Sequence, residues 1–283
     1  MAGIGTVVVF DFDKTIIDVD SDNWLVDELG FTDRFNQLLP TMPWNSVMAR
    51  SGLGAGYDNP RYPQDKMMNE IHAKGKKIED IEEVLKRTLI HPRIVPAIKS
   101  AYALGCDLRI VSDANVFYIE TILEHHGIRE CFSEIHTNPG YVEEGRLRIR
   151  PYHDFHTSPH GCNNVCPPNM CKGKIIERIQ ASLAKEGKKR MIYLGDGAGD
   201  FCPSLKLKEG DFLMPRKDFP VWKLITENRK LLKPEIHEWT DGEELERILL
   251  HLINKNLPAA QPKFQKVSIQ AHKALPKAIP VPF

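Results

Sequence analysis

The amino-acid sequence predicts an α/β fold: a doubly wound parallel-sheet core with an inserted helical cap. Three observations lead to it. Four short, largely apolar runs recur along the chain, and helical patterns separate them. The interval between the first two is also far longer than a single crossover needs. The runs are Thr6–Phe10, Asp107–Val111, Met191–Leu194 and Asp211–Met214. Such runs suit strands covered on both faces, as parallel strands are.

In chain order, the first strand leads into a block where Asn23–Leu29, Asp33–Leu39 and Ile78–Lys86 read as short amphipathic helices. One helix suffices to join two parallel strands. Residues 21–89 are therefore assigned to the cap, and residues 1–20 and 90–257 to the core. Within the cap, Ser51–Gln64 carries three Gly and two Pro and reads as a flexible insertion. After the second strand, Asn115–His126 places Val116, Ile119 and Leu123 on one helical face and stops before Gly127. Tyr141–Val142 and Arg146–Ile149 flank Glu144-Gly145 as a hairpin. Ile175, Ile179 and Leu183 recur on one face of a further helix. Thr240 and Glu243 form a T-x-x-E capping box before a last helix carrying Leu245, Ile248, Leu249 and Leu252. The end, Pro258–Phe283, has four Lys, repeated Pro and no acidic residue. It reads as a disordered basic tail, because it cannot bury enough apolar surface to offset ordering entropy.

Composition narrows the function. Of the 283 residues, 42% are hydrophobic, and 38 Lys+Arg balance 38 Asp+Glu. Balanced charge offers nucleic acid or an anionic membrane no overall attraction. No apolar run approaches the ~20 residues that span a bilayer. The run at Val7 starts too early, and meets acidic residues too soon, for a secretory signal. Six cysteines are few for a disulfide scaffold of this length. Together these features predict a cytoplasmic enzyme acting on a small molecule.

Chemistry concentrates where open α/β sheets bind ligands, beyond the carboxyl ends of the strands. The first strand ends in Asp11-Phe12-Asp13-Lys14-Thr15. Two carboxylates so placed can divide a phosphoryl transfer between them. One attacks phosphorus to give an aspartyl-phosphate, and the other moves protons to and from the leaving oxygen. A strand-end Asp also caps turns for purely structural reasons, so D-x-D-x-T alone leaves both readings open. The second run ends in Ser112-Asp113-Ala114-Asn115, where a hydroxyl near a helix N-terminus can hold a phosphoryl oxygen. Lys172 begins the helix before the third run and can neutralise charge developing on that group. The third run ends in Gly195-Asp196-Gly197-Ala198-Gly199-Asp200, whose carboxylates are hard oxygen ligands suited to Mg²⁺. Singly, each has a plain structural reading, Ser112 as an N-cap and Lys172 as a solvated lysine. In order, at successive strand ends, they describe a phosphohydrolase.

The segments VFDFDKTI, SDNW, RIVSDAN, CPPNMCKG and LGDGAGDFCPSLKL, spread over about residues 5–255, resemble the haloacid dehalogenase (HAD) superfamily of phosphohydrolases. Within it, the chain is similar to the phosphoethanolamine/phosphocholine phosphatase family, including plant members described as pyrophosphatases. The resemblance implies a Rossmann-like HAD core, Asp11 as nucleophile and Asp13 as general acid/base. It places Thr15, Ser112 and Lys172 in the catalytic set. It implies Mg²⁺ held by Asp11, Asp196 and the Asp13 carbonyl, with Asp200 in the same acidic motif. It also implies that Asp22 and Asp113 recognise the substrate's head group. Ser51–Gln64 departs from the family pattern. Two carboxylates near the cleft favour an ammonium group, to which Trp24 or Trp44 could add cation–π attraction. On that ground phosphoethanolamine and phosphocholine rank ahead of pyrophosphate, with thiamine monophosphate a further alternative.

Cys162, Cys166 and Cys171 follow C-x₃-C-x₄-C, with His153, His156 and His160 upstream. Three thiolates and one imidazole would make a structural Zn²⁺ site; a compact loop of buried thiols positioning Lys172 explains the same residues. Cys106, Cys131 and Cys202 are scattered and read as core residues. The Cys/His loop and basic tail also admit a different class, a non-catalytic metal- or nucleic-acid-binding protein. Zero net charge and the full set of carboxylates stand against it.

Overall fold

A computed structural model describes residues 5–38, 66–154, 157–164, 166–185 and 190–255. The expected insertion Ser51–Gln64, the tail Pro258–Phe283, His156 and Trp44 lie outside the described residues.

The strands are β1 (Thr6–Phe10), β2 (Asp107–Asn115), β3 (Phe132–Asn138), β4 (Gly140–Glu143), β5 (Arg146–Ile149), β6 (Arg190–Gly195), β7 (Phe212–Pro215) and β8 (Glu235–Ile236). Six of them form one sheet in the order β3-β2-β1-β6-β7-β8, every pairing parallel. The helices before β2 are α1 (Ser21–Glu28), α2 (Thr32–Leu38), α3 (Lys66–Ala73), α4 (Ile78–Lys86) and α5 (Ile94–Ala103). Those after it are α6 (Val116–His125), α7 (Lys172–Lys185), α8 (Phe201–Ser204), α9 (Pro220–Glu227) and α10 (Gly242–Lys255).

Side chains alternate across β1. Val8 and Phe10 join a core with Ile98, Ile119 and Leu249 from α5, α6 and α10. Val7 and Val9 join a second core with Ile175, Ile179 and Val221 from α7 and α9. Both faces are covered, which explains the uninterrupted apolar run. Leu25, Phe35, Met67 and Ile81 of α1–α4 extend the first core towards α6. There the Tyr118 hydroxyl donates to the Met68 sulfur at 3.7 Å. The chain turns to one side of β1 for β2 and to the other for β6. The strand order therefore reverses between β1 and β6, and the ligand crevice of a doubly wound sheet opens at their carboxyl ends. Asp11 follows one and Asp196 the other.

Two local expectations change, and one strand is added. β2 runs on to Asn115, so Ser112 and Asp113 lie within the strand, and the Asn115 side chain caps α6 by accepting from Tyr118 N–H at 3.1 Å. Ser112 is thus not the cap. The edge strand β3 has no apolar run to announce it, because Ser133 and Glu134 face solvent. The last helix is capped by Asp241, whose Oδ1 accepts from the N–H groups of Glu243 and Glu244 at 3.0 Å each. Thr240 bonds Glu244 rather than Glu243, at 2.7 Å through its hydroxyl. Among the described residues, no helix is long and apolar enough to cross a membrane.

Candidate active site

Asp11 remains part of the sheet, its N–H donating to Leu194 O at 2.9 Å. The chain then turns, with Ile16 N–H donating to Phe12 O at 2.8 Å and Lys14 in the left-handed region at φ +53°. That turn brings Asp11, Asp13 and Thr15 to the crevice. Asp11 is buried; its Oδ1 accepts from Phe12 N–H at 2.7 Å and its Oδ2 lies 2.6 Å from Lys172 Nζ. Lys172 Nζ also donates to Asp200 Oδ1 at 2.9 Å. That oxygen accepts the Tyr193 hydroxyl at 2.6 Å, while Oδ2 accepts from Asp196 N–H at 3.1 Å and Gly197 N–H at 2.9 Å. A carboxylate has about four lone-pair directions, and these donors occupy them. Gly195 permits the approach: a Cβ there would stand 2.4 Å from the Asp200 carboxyl carbon.

Thr15 Oγ1 donates to Asp196 Oδ1 at 3.4 Å. Ser112 is buried, and its Oγ accepts from Ala114 N–H at 3.3 Å, leaving the hydroxyl hydrogen to donate elsewhere. Asn138 Nδ2 steadies the same segment by donating to the carbonyls of Asp113 at 2.6 Å and Ala114 at 2.8 Å. Asp13 Oδ2 accepts the Ser21 hydroxyl at 3.0 Å, whereas its buried Oδ1 has no hydrogen-bond partner among the described residues. An acceptor so placed is suited to a proton or an incoming group.

The electrostatics follow from several acids around one buried lysine. Burial pushes the Asp13 carboxyl well above its ordinary range, and Asp20 and Asp22 push it further. Burial also raises Asp11, with Asp200 reinforcing the shift and Lys172 opposing it. Asp196 is lifted to about 7, by burial first and Asp200 second. Burial pulls the Lys172 ammonium down, but Asp11 and Asp200 outweigh it and hold the group charged. Asp113 is exposed, yet its charge acts on Asp11 and Asp20. The expected head-group acids Asp22 and Asp113 therefore belong to the same field as Asp11 and Asp13. The Trp24 indole N–H donates to Val84 O at 3.0 Å, tying α1 to α4.

Side chains not singled out from sequence complete the site. Tyr193 lies inside an apolar strand, where nothing marks it. Arg216 follows β7, a strand end that could have drawn attention. Its guanidinium stacks against Phe219 at 4.3 Å and Trp239 at 5.0 Å and donates to Lys14 O, pinning the turn after Asp13. Cys202 is not a scattered core residue. Its Sγ lies 3.7 Å from that of Cys162 and 3.9 Å from that of Cys171, forming one cluster with Cys166. The fourth member of the cluster is thus a thiol and not the expected imidazole; the Nδ1 atoms of His153 and His160 accept backbone N–H groups of Cys171 and Cys162.

Residues 6–253 match the family model described as "Putative Phosphatase". The chain belongs to that family. A protein named inorganic pyrophosphatase 2 from Arabidopsis thaliana is 66% identical over 88% of this chain and 84% of its own length. The human phosphoethanolamine/phosphocholine phosphatase is 31% identical over 79% of each chain. A HAD-family hydrolase structure from Salmonella enterica serovar Typhi shares the fold, with TM-score 0.55 and 17% identity over 89% of this chain and 72% of that one. The chain is a phosphohydrolase with the fold of the HAD hydrolases.

Such enzymes are generally Mg²⁺-dependent, and the donors here fit that ion. Oxygens of Asp11, Asp196 and Asp200 all lie within 4.8 Å of one another; Asp11 and Asp196 are hard ligands for such an ion, while Asp200, its lone pairs taken, holds Lys172 and the Asp196 loop beside them. In this phosphohydrolase, Mg²⁺ should therefore stabilise the fold in a pH-dependent way. Without metal, the raised Asp196 contributes stability that is full below 3.8 and is lost as pH rises through about 7. Asp11 and Asp13 carry the same sign. The Mg²⁺-induced rise in Tm should accordingly be small at pH 5 and reach on the order of 5 °C at pH 8. Paired melts with and without Mg²⁺ measure it, and a rise independent of pH would separate the metal from these carboxylates.

Proposed function

We propose that this phosphohydrolase hydrolyses inorganic pyrophosphate, presented as its magnesium complex, through an aspartyl-phosphate on Asp11. One observation carries the chemistry: a buried Asp11 carboxylate beside Lys172, one residue removed from an Asp13 whose surroundings favour its protonated form. Asp11 attacks phosphorus, and the bond to the leaving oxygen breaks as Asp13 gives that oxygen its proton. Asp13, now ionised, takes a proton from the water that attacks the aspartyl-phosphate, which releases phosphate and restores both carboxyl groups. The Ser112 hydroxyl and the Lys172 ammonium hold the phosphoryl oxygens. Asp11, Asp196 and the Asp13 carbonyl would hold Mg²⁺, which neutralises charge on the transferred group. Asp200, its oxygens already engaged, acts by positioning Lys172 and the Asp196 loop. Residues 21–89 serve as the cap, and residues 1–20 and 90–257 as the core. Six cysteines free of disulfides suit a cytoplasmic setting.

The choice of pyrophosphate is supported by the 66% identity to the Arabidopsis pyrophosphatase. The rim is compatible with it: Asp20, Asp22 and Asp113 repel a bare second phosphate but accept one carrying a metal ion. The same rim favours a second reading, phosphoethanolamine or phosphocholine, whose ammonium would sit among these acids. Phosphate release from pyrophosphate, phosphoethanolamine, phosphocholine and thiamine monophosphate decides between them. Pyrophosphate is expected to lead in kcat/KM by about tenfold or more, a difference of roughly 1.4 kcal/mol. If an amine ester leads instead, and the paired change Asp22→Asn with Asp113→Asn raises its KM, the second reading replaces the first.

A further inference from the structure

We propose that Cys162, Cys166, Cys171 and Cys202 form a four-thiolate structural zinc site that fixes the catalytic lysine, a site separate from the magnesium centre and independent of the substrate assignment. Four of the six sulfur–sulfur separations match the edge of a tetrahedral zinc site. Neighbouring sulfurs lie at 3.7 Å (Cys162–Cys202), 3.7 Å (Cys162–Cys166), 3.7 Å (Cys166–Cys171) and 3.9 Å (Cys171–Cys202). All four stand within 4.8 Å of one another. Four sulfurs bound at about 2.3 Å to one tetrahedral zinc stand about 3.8 Å apart. A disulfide would instead need about 2.05 Å and could join them only in pairs.

The surroundings are built for this. Cys162 and Cys166 come from an irregular loop, Cys171 from the residue before α7, and Cys202 from α8, 31 residues further on. Asn164 Nδ2 donates to Cys202 Sγ at 3.3 Å, as outer partners of metal thiolates do. Gly173 leaves the room: a Cβ there would fall 2.5 Å from Cys202 Sγ. His160 is held by the loop's own backbone, its Nδ1 accepting from Cys162 N–H at 3.1 Å and its Nε2 lying 3.1 Å from Pro167 O. The loop between β5 and α7 has no helix or strand of its own among its described residues, so a metal gives it the rigidity that a packed element would otherwise supply. The connection to catalysis is direct in sequence. Cys171 precedes Lys172, and Cys202 stands two positions after Asp200. One ion would thus anchor both ends of the 2.9 Å Lys172–Asp200 pair.

The test uses the full chain purified without chelators. Elemental analysis should find about one zinc per chain, retained through dialysis that removes Mg²⁺. Zinc-depleted protein refilled with Co²⁺ should show thiolate-to-cobalt charge-transfer bands and the visible bands of a tetrahedral ion. Cys202→Ser should lose both signals, while Cys106→Ser, which alters a buried cysteine outside the cluster, should keep them. Should Cys202→Ser fail to fold, mercurial titration of the wild type reports the same thing, zinc appearing in a chromogenic chelator as the cluster thiols react. Wild-type protein that holds no zinc and takes up no Co²⁺, or that yields a disulfide within the cluster by mass spectrometry, overturns the proposal.

Discussion

Asp11→Asn is expected to abolish turnover on every substrate while leaving the fold in place. The amide matches the carboxylate in size but cannot attack phosphorus, so no aspartyl-phosphate forms. The loss should be at least about 10⁴-fold in kcat, since neither positioning nor electrostatics can replace a missing nucleophile. Stability should move little. The asparagine carbonyl can keep the Phe12 N–H bond, and relief from the like charges of Asp200 and Asp196 offsets the lost contact to Lys172. Lys172 keeps its 2.9 Å partner Asp200. Asp13→Asn should also be severely impaired, because the leaving oxygen loses its proton source. For that variant the deficit should shrink with substrates whose leaving groups need no proton, such as p-nitrophenyl phosphate. Steady-state rates with circular dichroism check both variants. Substantial activity in a folded Asp11→Asn would end the covalent mechanism.

Much of this architecture was legible because it is written in local patterns. The apolar run of β1 and the amphipathic Ile78–Lys86 reflect burial at strand and helix periods, which depend only on neighbouring residues. Glu144-Gly145 marked the hairpin because both residues take positive φ, +51° and +72°, as a tight turn between twisted strands requires. The acidic motifs were readable because they stand at strand ends, where the fold gathers them. What stayed hidden depends on tertiary contact. Tyr193 looks like any apolar strand residue until its hydroxyl meets Asp200. Cys202 has no fixed spacing from Cys171, so only the packing of α8 against α7 shows it to be the fourth thiol. Trp24 is the opposite case, an aromatic that chemistry could recruit but that helix packing had already engaged through Val84. β3 carries no such signal because an edge strand with polar, exposed positions breaks the apolar pattern.

Asp200→Asn should cripple the enzyme without removing any group that touches phosphorus. Both Asp200 oxygens are acceptors in the native site, Oδ1 for Lys172 and Tyr193, Oδ2 for Asp196 and Gly197 N–H. An asparagine can present its carbonyl to only one of these pairs, and its amide N–H₂ must then face two donors. If the amide faces Lys172, that ammonium is left with Asp11 alone and draws the nucleophile into a tighter ion pair. If it faces the backbone, the loop that carries Asp196 shifts. Either arrangement disturbs a fully buried network, for which breaking one partner costs on the order of 3–5 kcal/mol. A fall in kcat of roughly 10²–10³-fold is expected, comparable to losing one preorganised charge-stabilising donor. The pH dependence separates positioning from simple damage. Asp200 raises the carboxyls of both Asp11 and Asp196, so removing its charge should move the acid limb of residual activity and of Mg²⁺ binding to lower pH. Tyr193→Phe provides the graded comparison: it removes one donor at 2.6 Å but leaves the charge, so kcat should fall modestly with the acid limb unmoved. An Asp200→Asn enzyme that loses activity with an unshifted acid limb would make Asp200 a structural residue only, and the control of Lys172 would have to lie elsewhere.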